Sequence, residues 1–182
     1  MDITTTLLEI FKYTIPAIIV LISSYLIVNK FLVSQMQRKQ LAIFKDAQDI
    51  TLRLRLQAYE RLVLFVERIT PRQIIPRVYD PSMTVQDLQQ AITMTINAEF
   101  EHNLSQQIYV SSNVWQTIRG VKEQELNMVN QLARTLDPSL PARELHIRIL
   151  EVISKTEEDD LPTDVALKII NSEAVRIMNY EL

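Results

Sequence analysis

Cysteine is absent from the 182-residue chain. No disulfide framework, thiolate nucleophile or cysteine metal site is therefore available. The absence fits a reducing compartment. Glycine occurs once, at Gly120. Hairpin turns, bulges and phosphate loops need positions with φ > 0, which glycine usually fills. One glycine argues against a β-rich fold and against a P-loop or Rossmann fingerprint. Histidine is nearly as scarce: His102 and His146 leave few general bases, and no serine stands with them in a triad pattern. Charge is missing altogether from Tyr13 to Asn29. Proline is not scarce. Its seven copies fall mostly between helical patterns.

The uncharged run YTIPAIIVLISSYLIVN is followed by Lys30 and then by Phe31, Leu32 and Val33. A helix needs roughly 20 mainly apolar residues to cross the hydrocarbon core. Residues 13–33 meet that requirement, with Lys30 reaching toward the interface. Pro16 falls in the expected first turn, where a missing N–H is tolerated. Tyr13 suits an interface. A cleaved signal peptide would need a basic start and small residues before its cleavage site. This chain starts Met1-Asp2-Ile3, and Leu32-Val33-Ser34-Gln35 is a poor site. The segment reads as a transmembrane helix. Lys12 alone precedes it, whereas Lys30, Arg38, Lys39 and Lys45 follow. That bias predicts a single pass with the C-terminal part in the cytoplasm.

Ser34 to Thr70 contains neither proline nor glycine. It predicts a helical stalk, about 50 Å long if unbroken, with a break expected near Asp49 to Thr51. Leu52, Leu56, Tyr59, Leu62, Val63, Val66 and Ile69 recur at helical spacing, so one face is buried. Pro71, Pro76 and Pro81 mark a connector. Thr84 with Asp87 opens the next helix as a capping box, carrying Leu88, Ile92, Ile96, Phe100, Leu104 and Ile108 inward. Ser111 and Ser112 are natural caps for a helix holding Val114, Trp115, Ile118, Val121, Leu126, Val129 and Leu132. Gly120 inside it implies a bend or a close helix contact. A further helix at 141–156 uses Leu145, Ile149, Leu150, Val152 and Ile153. After the acidic turn Glu157–Asp160, a last helix uses Val165, Ile169, Ile170, Val175 and Met178. Short links imply antiparallel neighbours. The expected fold is all-α: a tail and transmembrane helix at 1–33, a juxtamembrane stalk at 34–51, and a helical bundle at 52–182.

Charge divides by position. Residues 34–79 carry nine basic and four acidic residues, net +5, and residues 80–182 carry eight basic and sixteen acidic, net −8. A basic membrane-proximal segment suits an anionic lipid surface, and equally a solvated helix paired with the acidic part. Nucleic acid is not expected as a partner, because no aromatic stacking set is interleaved with the arginines.

Glu99 and His102 form an E-x-x-H pair, a spacing that di-iron carboxylate bundles use twice. Arg143 stands where a second such pair would need its glutamate before His146, so no metal site, catalytic residue or cofactor is expected. Glu99, His102, Gln106 and Tyr109 instead follow one side of a helix. With Asn103 and Gln107 they could form a polar network against Arg53, Arg55 or Arg61, or an exposed partner surface. Asn103-Leu104-Ser105 matches a glycosylation sequon by chance. Phe65, Phe100 and Trp115 read as core. Phe44, with Leu41 and Ile43, reads as an exposed strip for self-association, although its two-in-seven seam is not sustained.

Two blocks, LRLQAYERLVLFVERI (54–69) and EFEHNLSQQIYVS (99–111), together with the N-terminal span, resemble a family of uncharacterised bacterial single-pass membrane proteins. The resemblance runs to about residue 135. It implies a bacterial inner-membrane setting and no activity or cofactor. It also implies that Arg55, Gln57, Tyr59, Glu60, Arg61, Glu99, His102 and Asn103 share one surface or network, to which spacing adds Gln106. The expected role is a non-enzymatic, membrane-anchored scaffold or interaction module. Its expected partners are the lipid bilayer and either a protein or a second copy. The runner-up is a partner-dependent subunit of a larger membrane assembly. The third reading is an enzyme with a pocket at Glu99, His102 and Tyr109.

Overall fold

A computed structural model describes residues 3–155 and 161–180. The acidic turn expected at 157–160 lies outside them. The described chain is all-helical, and it divides into two compact units, residues 1–50 and 51–182.

The first unit is the N-terminal part of helix α1 (Ile3–Ile69). This helix is long and apolar enough to cross a membrane. Its most apolar 18-residue stretch has a mean hydropathy of 2.0, and none of that stretch is buried within the protein. Ser23 donates its hydroxyl to the Ile19 carbonyl at 2.7 Å, so this polar group in the apolar run satisfies itself locally. Pro16 lies well inside α1 rather than in its first turn. There it removes the N–H that would have met the Lys12 carbonyl. Lys30, Arg38, Lys39 and Lys45 are exposed, as are Leu41, Ile43 and Phe44. The break expected near Asp49 to Thr51 is absent, and α1 continues to Ile69. Thr70 ends it with ψ at 140°, because a residue before proline is pushed out of the α region.

In the second unit, α1 buries Tyr59, Leu62, Phe65, Val66 and Ile69. The expected proline connector is in part a helix, α2 (Pro71–Val78). Pro71 occupies the first turn, where its missing N–H costs nothing. Pro76 sits inside α2, but Ile74 and Ile75 are fully buried beside it. Each contributes about 1.5–3 kcal/mol by burial, which together offsets the roughly 3 kcal/mol of an internal proline. Helix α3 (Val85–His102) opens on the capping box that Thr84 and Asp87 form reciprocally. Helix α4 (Ser112–Arg134) is capped by the Ser111 hydroxyl, and α5 (Ala142–Lys155) and α6 (Pro162–Tyr180) complete the unit. Helix α4 packs against α3, α5 and α6, and α3 also packs against α2 and α5. A short backbone clasp joins the starts of α3 and α5: Val85 donates to the Leu140 carbonyl and Ala142 to that of Met83, at 2.8 and 2.9 Å.

Three sequence expectations are corrected here. Helix α3 stops at His102, and Leu104–Ile108 forms a 3-10 turn. Leu104 and Ile108 are therefore exposed instead of facing inward. The Asn103 amide donates to the Glu99 carbonyl at 2.8 Å and gives the backbone an alternative to further α-helix. Helix α6 turns Ala166, Ile170, Glu173 and Ile177 inward, leaving Val165, Val175 and Met178 exposed. Gly120 approaches nothing: a Cβ built there meets no atom within 4 Å.

Candidate functional site

The two sequence blocks lie side by side. Phe65 of α1 meets Phe100 of α3 with ring centroids 6.0 Å apart, and Phe100 stacks on Trp115 of α4 at 5.5 Å. The Lys122 ammonium stands 4.7 Å from the centre of the Phe100 ring, a cation–π arrangement. These aromatics are packed contacts, as read from the sequence.

The polar residues expected to form one hub are divided between two places and some isolated positions. At the first place, the Tyr59 hydroxyl donates to Glu173 Oε1 at 2.8 Å, and the Ser111 hydroxyl donates to Glu173 Oε2 at 2.6 Å. Ser111 also accepts from the Val114 N–H, so one hydroxyl both caps α4 and holds the α6 carboxylate. Arg55 donates to the Tyr109 carbonyl at 3.3 Å. Burial, and then the hydrogen bond and charge of Glu173, push the Tyr59 phenol above its ordinary range, with Arg55 opposing them.

At the second place, Glu99 lies between two guanidiniums, those of Arg68 and Arg77, each at 3.3 Å. Arg77 also donates to the Arg68 carbonyl at 2.6 Å. This junction ties α1, α2 and α3 together. Glu99 does not meet Arg53, Arg55 or Arg61. Arg55 lies about 20 Å along α1 from Arg68 at 1.5 Å per residue. The Phe65–Phe100 contact sets the register that puts Arg68 beside Glu99. His102 is exposed and lines an open groove with Arg68, Met94, Ala98 and Glu99. Tyr109 does not line it, so the catalytic trio of the enzyme reading is not assembled. Glu60 and Arg61 are exposed on α1. Asn103 and Gln106 are buried, with Asn103 closing α3 and Gln106 donating to the Ser105 hydroxyl at 3.1 Å. Among the described residues no group of three His, Cys, Asp or Glu could hold a metal ion.

A separate cleft of about 450 Å³ is bounded by the end of α1, α2, α4, α5 and the start of α6. Glu125 of α4 lines it and is only 5% exposed. Its Oε2 is buried without a hydrogen-bond partner among the described residues. Burial raises this carboxyl to about 7. Buried polar groups are ordinarily paired, so an orphan of this kind needs a reason.

Neither Glu125 nor Glu173 belongs to a motif or polar block of the sequence. A signal was available. Each falls where its helix's apolar face continues, Glu125 one turn after Val121 and Glu173 between Ile170 and Ile177. A carboxylate on an apolar stripe reads as an interruption unless its partners are known.

No curated protein and no solved structure matches the chain. A family model does match, over residues 5–177, nearly the whole chain. The chain belongs to that family, a family of unknown function designated DUF7935.

Proposed function

We propose that this protein is a membrane-tethered helical interaction module. Residues 13–33 of α1 cross the bacterial inner membrane once, and residues 52–182 work at its cytoplasmic face. The observation that carries the reading is the uncharged apolar stretch of α1, whose described side chains are exposed. Apolar surface of that length is stable in hydrocarbon and costly in water. The exposed Lys30, Arg38, Lys39 and Lys45 set the orientation and meet anionic headgroups.

The partner is a protein or a second copy of the chain, and the groove beside His102 is its contact surface. Arg61, Leu64 and Arg68 follow one face of α1, while Met94, Ala98 and His102 follow one face of α3. Leu64 and Met94 are exposed apolar side chains among these charged neighbours. A photo-crosslinking residue at Met94 in the native membrane should yield one discrete adduct. The same residue at Gln131, exposed on α4, should yield none. No adduct at 94, or equal adducts at both, would remove the groove from this role. High-pH extraction that releases the full-length chain from membranes would remove the anchor.

A second reading, a partner-dependent subunit of a larger assembly, is favoured by the exposed strip of Leu41, Ile43 and Phe44 in the first unit. Purification in mild detergent separates the two. A stoichiometric set of several companions favours the subunit, and one partner or a homo-oligomer favours the module.

A further inference from the structure

The cleft beside Glu125 has no place in the interaction role, yet three features set it apart. Its volume of about 450 Å³ lies within the ordinary range of small-molecule sites. It holds a carboxyl group that is 5% exposed and has an unpartnered oxygen. Its walls also combine acid with hydrocarbon. Glu67 of α1 and Asp164 of α6 line it with Glu125, while Met128 of α4 and Ile153 of α5 supply apolar surface. Among the described lining residues Arg72 of α2 is the one basic group, and those of α5 carry no charge. With these three carboxyls ionised the described lining is net −2 (three acidic groups against one basic), so its sign favours a cation.

We propose that this cleft binds a small aliphatic amine, with one ammonium group donating to Glu125 and the methylene chain lying against Met128 and Ile153. An ammonium carries three N–H donors and no acceptor, which suits an unpartnered carboxylate oxygen and does not suit the Arg72 guanidinium. A flexible methylene chain fits apolar walls between separated carboxylates. A diamine uses the site more fully than a monoamine, because a second ammonium meets Glu67 or Asp164. An anion would meet the carboxylates, and a neutral alcohol would leave Glu125 without a charge partner once ionised.

The pH dependence follows from the same groups. Free Glu125 titrates at about 7, whereas an aliphatic ammonium stays protonated up to about pH 10. Binding therefore requires Glu125 to lose its proton, and affinity rises with pH. Between pH 6 and pH 8 the ionised fraction of such a group rises about tenfold, and affinity rises with it. Among the described residues, the charged groups that line the cleft with Glu125 are Glu67, Arg72 and Asp164.

Calorimetric titration of the full-length protein in non-ionic detergent is the test. The probes are 1,4-diaminobutane and spermidine, with 1,4-butanediol and succinate as neutral and anionic controls. The expected result is saturable binding of at least one amine and of neither control. Affinity should be about tenfold tighter at pH 8 than at pH 6, and Glu125→Gln should weaken it at least about tenfold, the order of one charge-assisted hydrogen bond. No saturable binding of either amine, unchanged affinity in Glu125→Gln, or weaker binding at higher pH overturns the assignment. If Glu125→Gln fails to fold, Met128→Phe narrows the cleft from a half-buried position. Unchanged amine binding in that variant, with helical content retained, overturns the assignment equally.

Discussion

Glu173 and Glu125 are both buried in the second unit, and their surroundings treat them differently. Glu173 accepts from two hydroxyls, while Glu125 has an oxygen with no donor. Removing one donor from Glu173 leaves part of a buried carboxylate unpaired, which costs about 1–3 kcal/mol. Tyr59→Phe is therefore expected to lower unfolding free energy by that amount in urea denaturation. Combining it with Ser111→Ala should cost measurably more or less than the sum, since both hydroxyls serve one carboxylate. By contrast, Arg55→Ala and His102→Ala should add within about 0.5 kcal/mol, because Arg55 meets the Tyr109 carbonyl and His102 lines a different groove. For Glu125 the effect depends on pH. Its carboxyl is raised from 4.5 to about 7 in the folded chain. Between those values the folded state holds more protons than the unfolded one, so stability falls as pH rises. The loss is about 3 kcal/mol on reaching pH values above 7. Glu125→Leu should remove that part of the slope, making the variant relatively more stable at pH 8 than at pH 4.5. Parallel stability curves for variant and wild type would place the slope elsewhere.

At the scale of the element, local chemistry written in the sequence fixes the starts of α3 and α4. Thr84 and Asp87 cap α3 reciprocally, and Ser111 caps α4. Thr84→Ala should cost about 1 kcal/mol, read from the shift in denaturation midpoint. Gly120 is an interior helix position in open space with no positive φ. Gly120→Ala should therefore stabilise α4 by about 0.5–1 kcal/mol. A close contact there would give the opposite sign. These ends were legible because a cap depends on residues three apart. The inward face of α6 was not, because Glu173 stands on it. Its burial depends on Tyr59 and Ser111, which lie far away in sequence. The end of α3 was obscured in another way: Leu104 and Ile108 keep helical spacing after Asn103 has already closed the helix. Prolines misled in α2, where burial of Ile74 and Ile75 outweighs Pro76. The partners of Glu99 depend on register between α1 and α3, which the Phe65–Phe100 contact fixes and spacing alone does not.

At the scale of the whole molecule, one helix serves two units with opposite needs. Up to Ile50 the described side chains of α1 are exposed, apart from the half-buried Ser34 and Gln35, whereas Ala58, Tyr59, Leu62, Phe65, Val66 and Ile69 are buried in the core of the second unit. The core cluster runs from Tyr59 to Ile177 and lies wholly within residues 51–182. A chain of residues 51–182 therefore keeps every buried apolar contact of that cluster and should fold with a single cooperative thermal transition. A chain of residues 71–182 loses Tyr59, Leu62, Phe65, Val66 and Ile69 together. Each fully buried side chain of this kind is worth about 1.5–3 kcal/mol. For the five together that is about 7.5–15 kcal/mol, as large as the roughly 5–15 kcal/mol by which a whole domain is ordinarily stable. The shorter chain should show no cooperative transition. This pair of truncations also bears on the rival roles. A partner-dependent subunit would fail to fold even as residues 51–182, because it would need surfaces from other chains. Cooperative folding of the longer piece, with failure of the shorter, would mean that α1 completes the core of its own bundle and that partners are met through an already folded surface.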